Sequence, residues 1–321
     1  MNKRLIAVIV CIAVAAALTC SLVACKTTDE TELALYVPDG APALAVASLF
    51  ESNKIAGKSL KLTITTGANV QAKVLNGEAD IVVCPTNMAA TLYNKGVDYK
   101  LISANVFGLL YLVGNKPAAS LNDLVGKVVH SIGKNNTPEF VFKKILANAN
   151  IEYVDSDVAV EGKVAIRYYE AGSEIIPLLK SGNVDYAILG EPAVTKAGVT
   201  ELFDLQALWK QATNLDESYP QAGVFVKSAL LEDTKFIDGL LKALGDNTQY
   251  LQDNSDKIAS LLVTNGSNDF NGTTFTANTL ARCNIRCIKA TDCKAQLTAY
   301  FNAIATINTS FTLPDDGFYG R

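Results

Sequence analysis

The candidate functional side chains of this sequence are hydrogen-bonding groups that stand directly after short apolar runs. Asp39 follows LALYVP, Thr86 and Asn87 follow IVVCP, and Glu191 follows YAILG. Carboxylates, amides and hydroxyls at such positions can hold a small solute by hydrogen bonds. Each also has a structural alternative, because Thr86 and Asn87 can cap a helix and Glu191 can form a salt bridge between two lobes.

A second group of candidates lies at helix starts and in loops. Ala41 cannot cap a helix with its side chain, so the nearby backbone N–H groups are open to a solute, to water or to Asp39. The loop through residues 133–137 can bind an anion or cap the helix that follows it. Phe107 and Tyr169 can stack on a flat solute or belong to the core. The full candidate ligand-binding set is Asp39, Gly40, Ala41, Gly67, Thr86, Asn87, Phe107, Asn135, Thr137, Tyr169 and Glu191.

The distribution of charge favours a neutral solute. None of the five arginines falls in a candidate loop, although Arg167 is close to one. Arginine is the usual bidentate partner of a carboxylate, so an amino-acid solute is disfavoured. Asp39 and Glu191 would repel an anion unless they are paired. We therefore favour a neutral or N–H-bearing heteroaromatic solute over nitrate or a sulfonate, while Lys134 and the helix starts leave an anion open.

The sequence lacks the usual motifs of catalysis, metal binding and cofactor binding. It has no GxSxG, no P-loop and no metal-binding cluster. Its single histidine, His130, is far from the later cysteines. After residue 25 the cysteines are Cys84, Cys283, Cys287 and Cys293. One pair among the last three can bridge outside the cytoplasm. We therefore expect that the protein is not an enzyme and binds neither a metal nor a cofactor. The alternative is an enzyme in which Glu191 and Asp39 form an acid–base pair.

The elements that must position these residues repeat along the chain. Gly67 and Gly172 are 105 residues apart, and the same offset separates Gly77 from Gly182 and Asp80 from Asp185. Apolar runs suited to strands alternate with helical patterns around both sets. The pattern predicts an α/β fold with two doubly wound lobes. Ligands of such sheets sit beyond the carboxyl ends of the strands, so we expect the candidate loops to face one shared cleft.

The predicted lobes are joined by two crossover segments. A strand near residues 223–227 would return the chain to the first lobe, and the remainder from about residue 232 is largely helical. We expect crossings near Leu112–Lys116 and Ser218–Val224. Lobe 1 is then residues 33–113 and 224–321, and lobe 2 is residues 114–223.

The N-terminus predicts export. Lys3 and Arg4 precede an unbroken apolar stretch that ends in Leu22-Val23-Ala24-Cys25. This ending resembles the lipobox of bacterial lipoproteins, which implies a signal peptide over 1–24, lipid on Cys25 and a tether over 25–32. A plain cleaved signal or a retained membrane helix is the alternative. The isoelectric point is about 5.2, which argues against a nucleic-acid partner.

Several stretches in order resemble one protein family. VPDGAPAL, NGEADIVVCPTNMA, YNKGVDYKLI, SLNDLVGKVV, TPEFVF, VDYAILGEPAVT and LPDDGFYG look like the nitrate/sulfonate/taurine-type solute-binding proteins, whose relatives bind thiamine-pyrimidine precursors. The resemblance implies a type II periplasmic-binding-protein fold and a monomeric, lipid-anchored extracytoplasmic receptor that delivers a small solute to the membrane subunits of an ABC importer. An enzyme on the same fold and a sensor lipoprotein without an importer are the alternatives.

Overall fold

The computed structural model describes residues 32–215 and 218–320. The signal peptide, Cys25 and almost all of the tether fall outside these residues. No helix within the described ranges is long and apolar enough to cross a membrane.

Two β-sheets form the framework. Seven strands make the first sheet: β1 Glu32–Pro38, β2 Lys54–Ile55, β3 Lys58–Thr65, β4 Ile81–Pro85, β5 Tyr99–Phe107, β12 Pro220–Lys227 and β13 Ile285–Lys289. Six strands make the second: β6 Leu110–Gly114, β7 Val128–Ile132, β8 Tyr153–Asp155, β9 Val164–Tyr169, β10 Tyr186–Gly190 and β11 Thr200–Asp204. Their spatial orders are β13-β5-β12-β4-β1-β3-β2 and β11-β6-β10-β7-β9-β8.

Helices connect and flank the strands. The α-helices are α1 Ala41–Leu44, α2 Gly67–Leu75, α3 Thr86–Asn94, α4 Thr137–Asn148, α5 Gly172–Lys180, α6 Ala193–Ala197, α7 Leu205–Thr213, α8 Thr234–Asp253, α9 Ser255–Thr264, α10 Ala277–Arg282 and α11 Lys294–Ile307. Short 3₁₀ turns occupy Ala47–Phe50, Leu121–Leu124, Ser228–Glu232 and Asp316–Phe318. The predicted α/β class with two sheets is confirmed.

The two sheets share one topology. In the first, β1 lies between β3 and β4 and is parallel to both, and in the second, β7 lies in the same way between β9 and β10. An antiparallel strand then flanks β4 and β10. Parallel central strands are covered on both faces, which explains why Ile81–Cys84 is fully apolar and fully buried.

The offset of 105 residues is reproduced by the elements themselves. Gly67 and Gly172 are the first residues of α2 and α5, and strands β4 and β10 begin and end at the same offset. Gly77 and Gly182 follow the ends of these helices with φ values of 69° and 74°. This left-handed conformation carries little penalty for glycine, which is why both helices stop there.

The chain passes between the sheets earlier than predicted. Leu112 was expected at the end of the first lobe, but β6 pairs with β10 and β11 of the second sheet. The first crossing is therefore at Gly108 and Leu109. On the return, β12 begins at Pro220 and pairs with β4 and β5. The sequence pattern assigned β6 to the wrong lobe because an apolar run does not reveal which neighbour it pairs with, whereas the return of β12 to the first sheet agrees with the prediction.

The C-terminal part, expected to be largely helical, also contains a strand. Residues Ile285–Lys289 form β13, which pairs antiparallel with β5 at the edge of the first sheet. Cys84, Cys283 and Cys287 are free thiols, so no bridge is formed within the 283–293 group. Burial raises the pKa of the Cys84 thiol to about 12, as expected for a core residue.

Candidate functional site

Loops from the two sheets meet at the carboxyl ends of the parallel strands. Asn87, at the start of α3 after β4, donates from Nδ2 to the carbonyl oxygen of Asn135, after β7, at 3.4 Å. Farther along, Lys196 Nζ donates to the carbonyl oxygen of Asp269 at 2.8 Å. The loops after β4 and β7 therefore border a shared space.

A cavity of about 400 Å³ lies beside the Asn87–Asn135 contact. Its walls come from α2 and α3 on one side and from the loop before α4 and the segment after α11 on the other. Most of its polar groups are side-chain amides, with a few apolar surfaces between them. The lining residues are Gln71, Asn87, Met88, Thr91, Leu92, Lys134, Asn135, Asn136, Phe140, Asn308 and Phe311.

The amide of Asn87 is the most informative group of this cavity. Asn87 is only 4 % exposed. Its Nδ2 is hydrogen-bonded, but its Oδ1 has no partner among the described residues. Leaving a buried acceptor unsatisfied costs about 1–3 kcal/mol. A solute that presents an N–H or O–H to Oδ1 would remove this cost.

The loop that faces Asn87 is held in place by a charged network beneath it. Asn135 has a φ of 59°, and its backbone N–H donates to the carboxylate of Glu139. Lys143 pairs with Glu139 at 2.5 Å and with Asp155 at 2.9 Å. Burial opposes the charge on Lys143, but the two carboxylates outweigh it and raise its pKa. The backbone of Asn135 is thus fixed before any solute arrives.

Lys134 is the single charged residue in the cavity lining. Its Nζ lies 3.6 Å from the Asp155 carboxylate and 5.4 Å from the centre of the Tyr168 ring. Burial tends to raise the pKa of Asp155, yet Lys143 and Lys134 together lower it. Asp155 therefore stays ionised and neutralises much of the charge that Lys134 would offer to an anion.

The carboxylate of Asp39 is hydrogen-bonded within the protein. Its carboxylate accepts hydrogen bonds from the Ser267 hydroxyl and from the backbone N–H groups of Asn268 and Asp269. Gly40 adopts a φ of 87°, and a Cβ there would lie 3.4 Å from Asp269 Oδ2. Burial and the nearby Asp39 raise the pKa of Asp269 to about 6. Ala41 begins α1 without a side-chain cap, as the sequence indicated.

Glu191 forms the salt bridge that was the alternative to a ligand contact. Its buried carboxylate accepts from Arg282 Nε at 2.6 Å and from the backbone and hydroxyl of Thr195 at 3.1 Å each. Arg282 also donates to Glu201 at 2.6 Å and stacks over Tyr111 at 4.1 Å. The sequence analysis predicted no arginine at the cleft, because nothing in the sequence of α10 indicates that Arg282 reaches Glu191.

The remaining candidates do not line the cavity. Thr86 donates to the Pro220 carbonyl at 2.6 Å, and Thr137 accepts from the Tyr300 hydroxyl at 2.7 Å. Phe107 is fully buried beneath the guanidinium of Arg286 at 3.9 Å. Tyr169 contacts His130 Nδ1 at 3.0 Å through its hydroxyl. Gly67 begins α2 behind a Thr66 cap.

Two of the predicted residues, Asn87 and Asn135, therefore meet in the cavity, and several lining residues were missed. Gln71 and Thr91 each lie one turn beyond a helix start that the sequence identified, so helix periodicity could have found them. Asn308 and Phe311 follow the last helix, and no sequence signal connects them with residue 87.

No protein-family model matches the chain, and no curated protein matches it. Solved structures do match. A protein of Parabacteroides distasonis described as an ABC transporter is 23% identical with a TM-score of 0.75, over 91% of this chain and 99% of that one. The aliphatic sulphonate binding protein SsuA of Escherichia coli is 16% identical with a TM-score of 0.62, over 89% and 95%.

A third match is the ligand-binding component of an ABC-type import system of Staphylococcus aureus, solved with zinc bound. It is 11% identical with a TM-score of 0.61, and the match covers 91% of this chain and 96% of that one. At these identities the likeness concerns the fold alone. The chain has the two-sheet α/β fold that these ABC-type binding proteins share.

Proposed function

We propose that the chain is a solute-binding receptor of an ABC importer that closes two lobes on one small molecule. The observation that carries the proposal is the unpaired Oδ1 of Asn87 in a cavity walled by elements of both sheets. A solute held there would contact both sides at once and favour the closed form, with bending at the two crossings.

The lining supports a neutral, N–H-bearing, flat solute. Five side-chain amides line the cavity, whereas its one cation, Lys134, is already near Asp155. Amides donate and accept hydrogen bonds without preferring a charged partner. Phe140 and Phe311 offer faces on which a ring can stack. A heteroaromatic compound meets all of these conditions better than nitrate or a sulfonate does.

The chemistry of the lining supports binding without turnover. Among the described residues that line the cavity there is no carboxylate, thiol or imidazole. General acid–base and nucleophilic catalysis rely mostly on such groups. Glu191, the acid considered for an enzyme, is held by Arg282 and Thr195 away from this lining.

The receptor would work outside the cytoplasm as a monomer held near its importer. Residues 1–24 would direct export, and lipid on Cys25 would keep the protein at the membrane beside the importer's membrane subunits. One acyl chain binds a membrane only weakly, so stable anchoring needs more than one. The sequence predicts lobes of residues 33–113 with 224–321 and of residues 114–223. We propose that they divide instead at Gly108 and Leu109 and just before Pro220, where the strands change sheet.

The decisive experiment pairs two leucine variants. Native mass spectrometry of protein purified without refolding would identify a retained solute. Calorimetry would then compare that solute with uncharged N–H heterocycles, nitrate and an alkanesulfonate. We expect heterocycles to bind and Asn87→Leu to weaken binding about 10- to 100-fold, since a buried hydrogen bond is lost. Unchanged affinity in Asn87→Leu would contradict the proposal.

Asn302→Leu is the matched control. Asn302 is exposed on α11 and lies outside the cavity lining, so this variant should bind like the wild-type protein. Preferred binding of the sulfonate would overturn the solute class but keep the receptor, whereas chemical conversion of a bound compound would indicate an enzyme.

A further inference from the structure

A second cavity, of about 200 Å³, lies at the return crossing. It opens between α7, which follows the last strand of the second sheet, and α11, which follows the last strand of the first. The residues that carry the argument are Trp209, Ser218, Tyr219, Ala295, Ala299 and Tyr300. Apolar cavities of about 150 Å³ hold benzene, so this space accommodates one small ring.

Three aromatic rings form its walls. Trp209 meets Tyr219 edge to face at 5.1 Å and Tyr300 at 5.8 Å, and the two tyrosines stack at 5.8 Å. All three side chains are almost fully buried. On the other side, Ala295 and Ala299 have short side chains, and Ala295 is exposed. A ring entering past the alanines would find aromatic faces and edges to pack against.

Two hydrogen-bonding groups at this cavity lack partners. Trp209 is fully buried, and its indole Nε1 has no acceptor among the described residues. The buried Ser218 hydroxyl oxygen likewise has no partner there. Buried indole N–H groups usually find a hydrogen-bond acceptor. Such orphaned groups in an aromatic cavity are the pattern of a site that receives a polar atom from a ligand.

The cavity is lined by the return crossing, which is bonded to the first crossing. Tyr219, which lines it, accepts from the backbone N–H of Gly108 at 3.0 Å and donates from its hydroxyl to Gln206 at 2.9 Å. Gln206 in turn bonds both backbone groups of Leu110. An occupant would therefore touch the return crossing, which is itself hydrogen-bonded to the first crossing at Gly108.

We infer that this cavity is a second ligand site, for a small apolar ring compound that carries one hydrogen-bond acceptor, of which phenol is the simplest example. The aromatic walls supply the apolar contact. Trp209 Nε1 donates to the oxygen of the ligand. This site is independent of the proposed solute and of its chemistry.

Trp209 gives a direct test because it is the only tryptophan of the chain. Phenol titrated into the purified protein should change the Trp209 emission saturably, with a dissociation constant on the order of 1 mM or below. Calorimetry should report the same constant. Toluene, which has the same size but no acceptor, should bind several-fold more weakly. Absence of both the emission change and the heat would overturn the inference.

Variants on α11 locate the binding. Ala299→Leu fills the cavity and should weaken phenol binding at least about tenfold, and Ala295→Leu at its exposed edge should also weaken it. Ala305→Leu, on the same helix but outside the lining, should bind phenol like the wild-type protein. Melting temperatures would verify that all three variants fold. Wild-type affinity in both Ala299→Leu and Ala295→Leu would place phenol elsewhere and overturn the inference. Because the assay uses no cleft solute, its failure would leave the receptor proposal standing.

Discussion

Two buried polar side chains at equivalent strand ends differ in whether their oxygen atoms accept hydrogen bonds. Asn87 follows β4 and keeps a free amide oxygen, whereas Glu191 follows β10 and bonds to Arg282 and Thr195. Residue type and position predicted both as ligand contacts. The partner of Glu191 could not be predicted, because Arg282 is 91 residues farther along the chain and no local pattern specifies such a contact.

Glu191 should matter for stability. Glu191 and Glu201 bind the same guanidinium, but their side chains are 0% and 36% exposed. Glu191→Gln removes a buried charge partner and should lower the free energy of unfolding by about 1–3 kcal/mol. Glu201→Gln removes a partly exposed one and should cost less than about 1 kcal/mol. Urea denaturation measures both, and equal losses would contradict this account.

Replacing Asp269 by asparagine should stabilise the protein to a degree that depends on pH. Burial and Asp39 raise the pKa of Asp269 in the folded protein from 3.8 to about 6. The folded state is therefore relatively favoured below about pH 4, and this advantage is lost as the pH rises through 6. Asp269→Asn should melt a few degrees above the wild-type protein at pH 7.5, and the difference should shrink toward pH 4.

The exposed Asp292 gives the control for that experiment. Asp292→Asn should change the melting temperature little at either pH. A difference for Asp269→Asn that is constant from pH 4 to 7.5 would show that ionisation of Asp269 is not its cause.

Among the elements, the crossings are tightly packed against each other. A Cβ on Gly108 would lie 2.3 Å from Ser218 Oγ and 2.9 Å from both Gln206 Cγ and Tyr219 Cε1. These atoms belong to the return crossing and to α7, so the two crossings are in close contact here. Only glycine fits without displacing one of them.

Gly108→Ala should therefore lower the melting temperature by several degrees, since overpacking costs about 1–3 kcal/mol. Gly245→Ala, in the exposed interior of α8 with no atom within 4 Å of its new Cβ, should instead stabilise the protein by about 0.5–1 kcal/mol. Thermal unfolding distinguishes the two. An unchanged melting temperature for Gly108→Ala would mean that the crossings accommodate the added methyl group.

Sequence pattern predicted the repeated elements well and their partners poorly. The 105-residue offset located α2, β4, α5 and β10 because Gly caps and buried strands are local features. Strand β13 was missed because IRCIK lies at a sheet edge inside a helical region, where burial alternates only weakly. The first crossing was misplaced by a few residues because pairing partners are chosen by tertiary contacts, whereas the second lies within the predicted range.

For the whole molecule, two sheets of one topology place their loops on a common space, and that geometry carries the proposed function. The matches to two solved structures extend over 91% and 89% of this chain and over 99% and 95% of the matched chains. The likeness therefore concerns whole molecules rather than one motif. The first cavity is polar and lies between the loops, while the second is aromatic and lies at the crossings. A receptor with both would respond to two unrelated compounds.

The most direct test of the central claim is a crystal structure of the protein with its retained or calorimetrically identified solute. We predict that the solute occupies the cavity beside Asn87, with an N–H or O–H donated to Asn87 Oδ1 and with contacts to the loop through Asn135. Density for the solute on an outer surface, or within one lobe and out of reach of Asn87, would contradict the account.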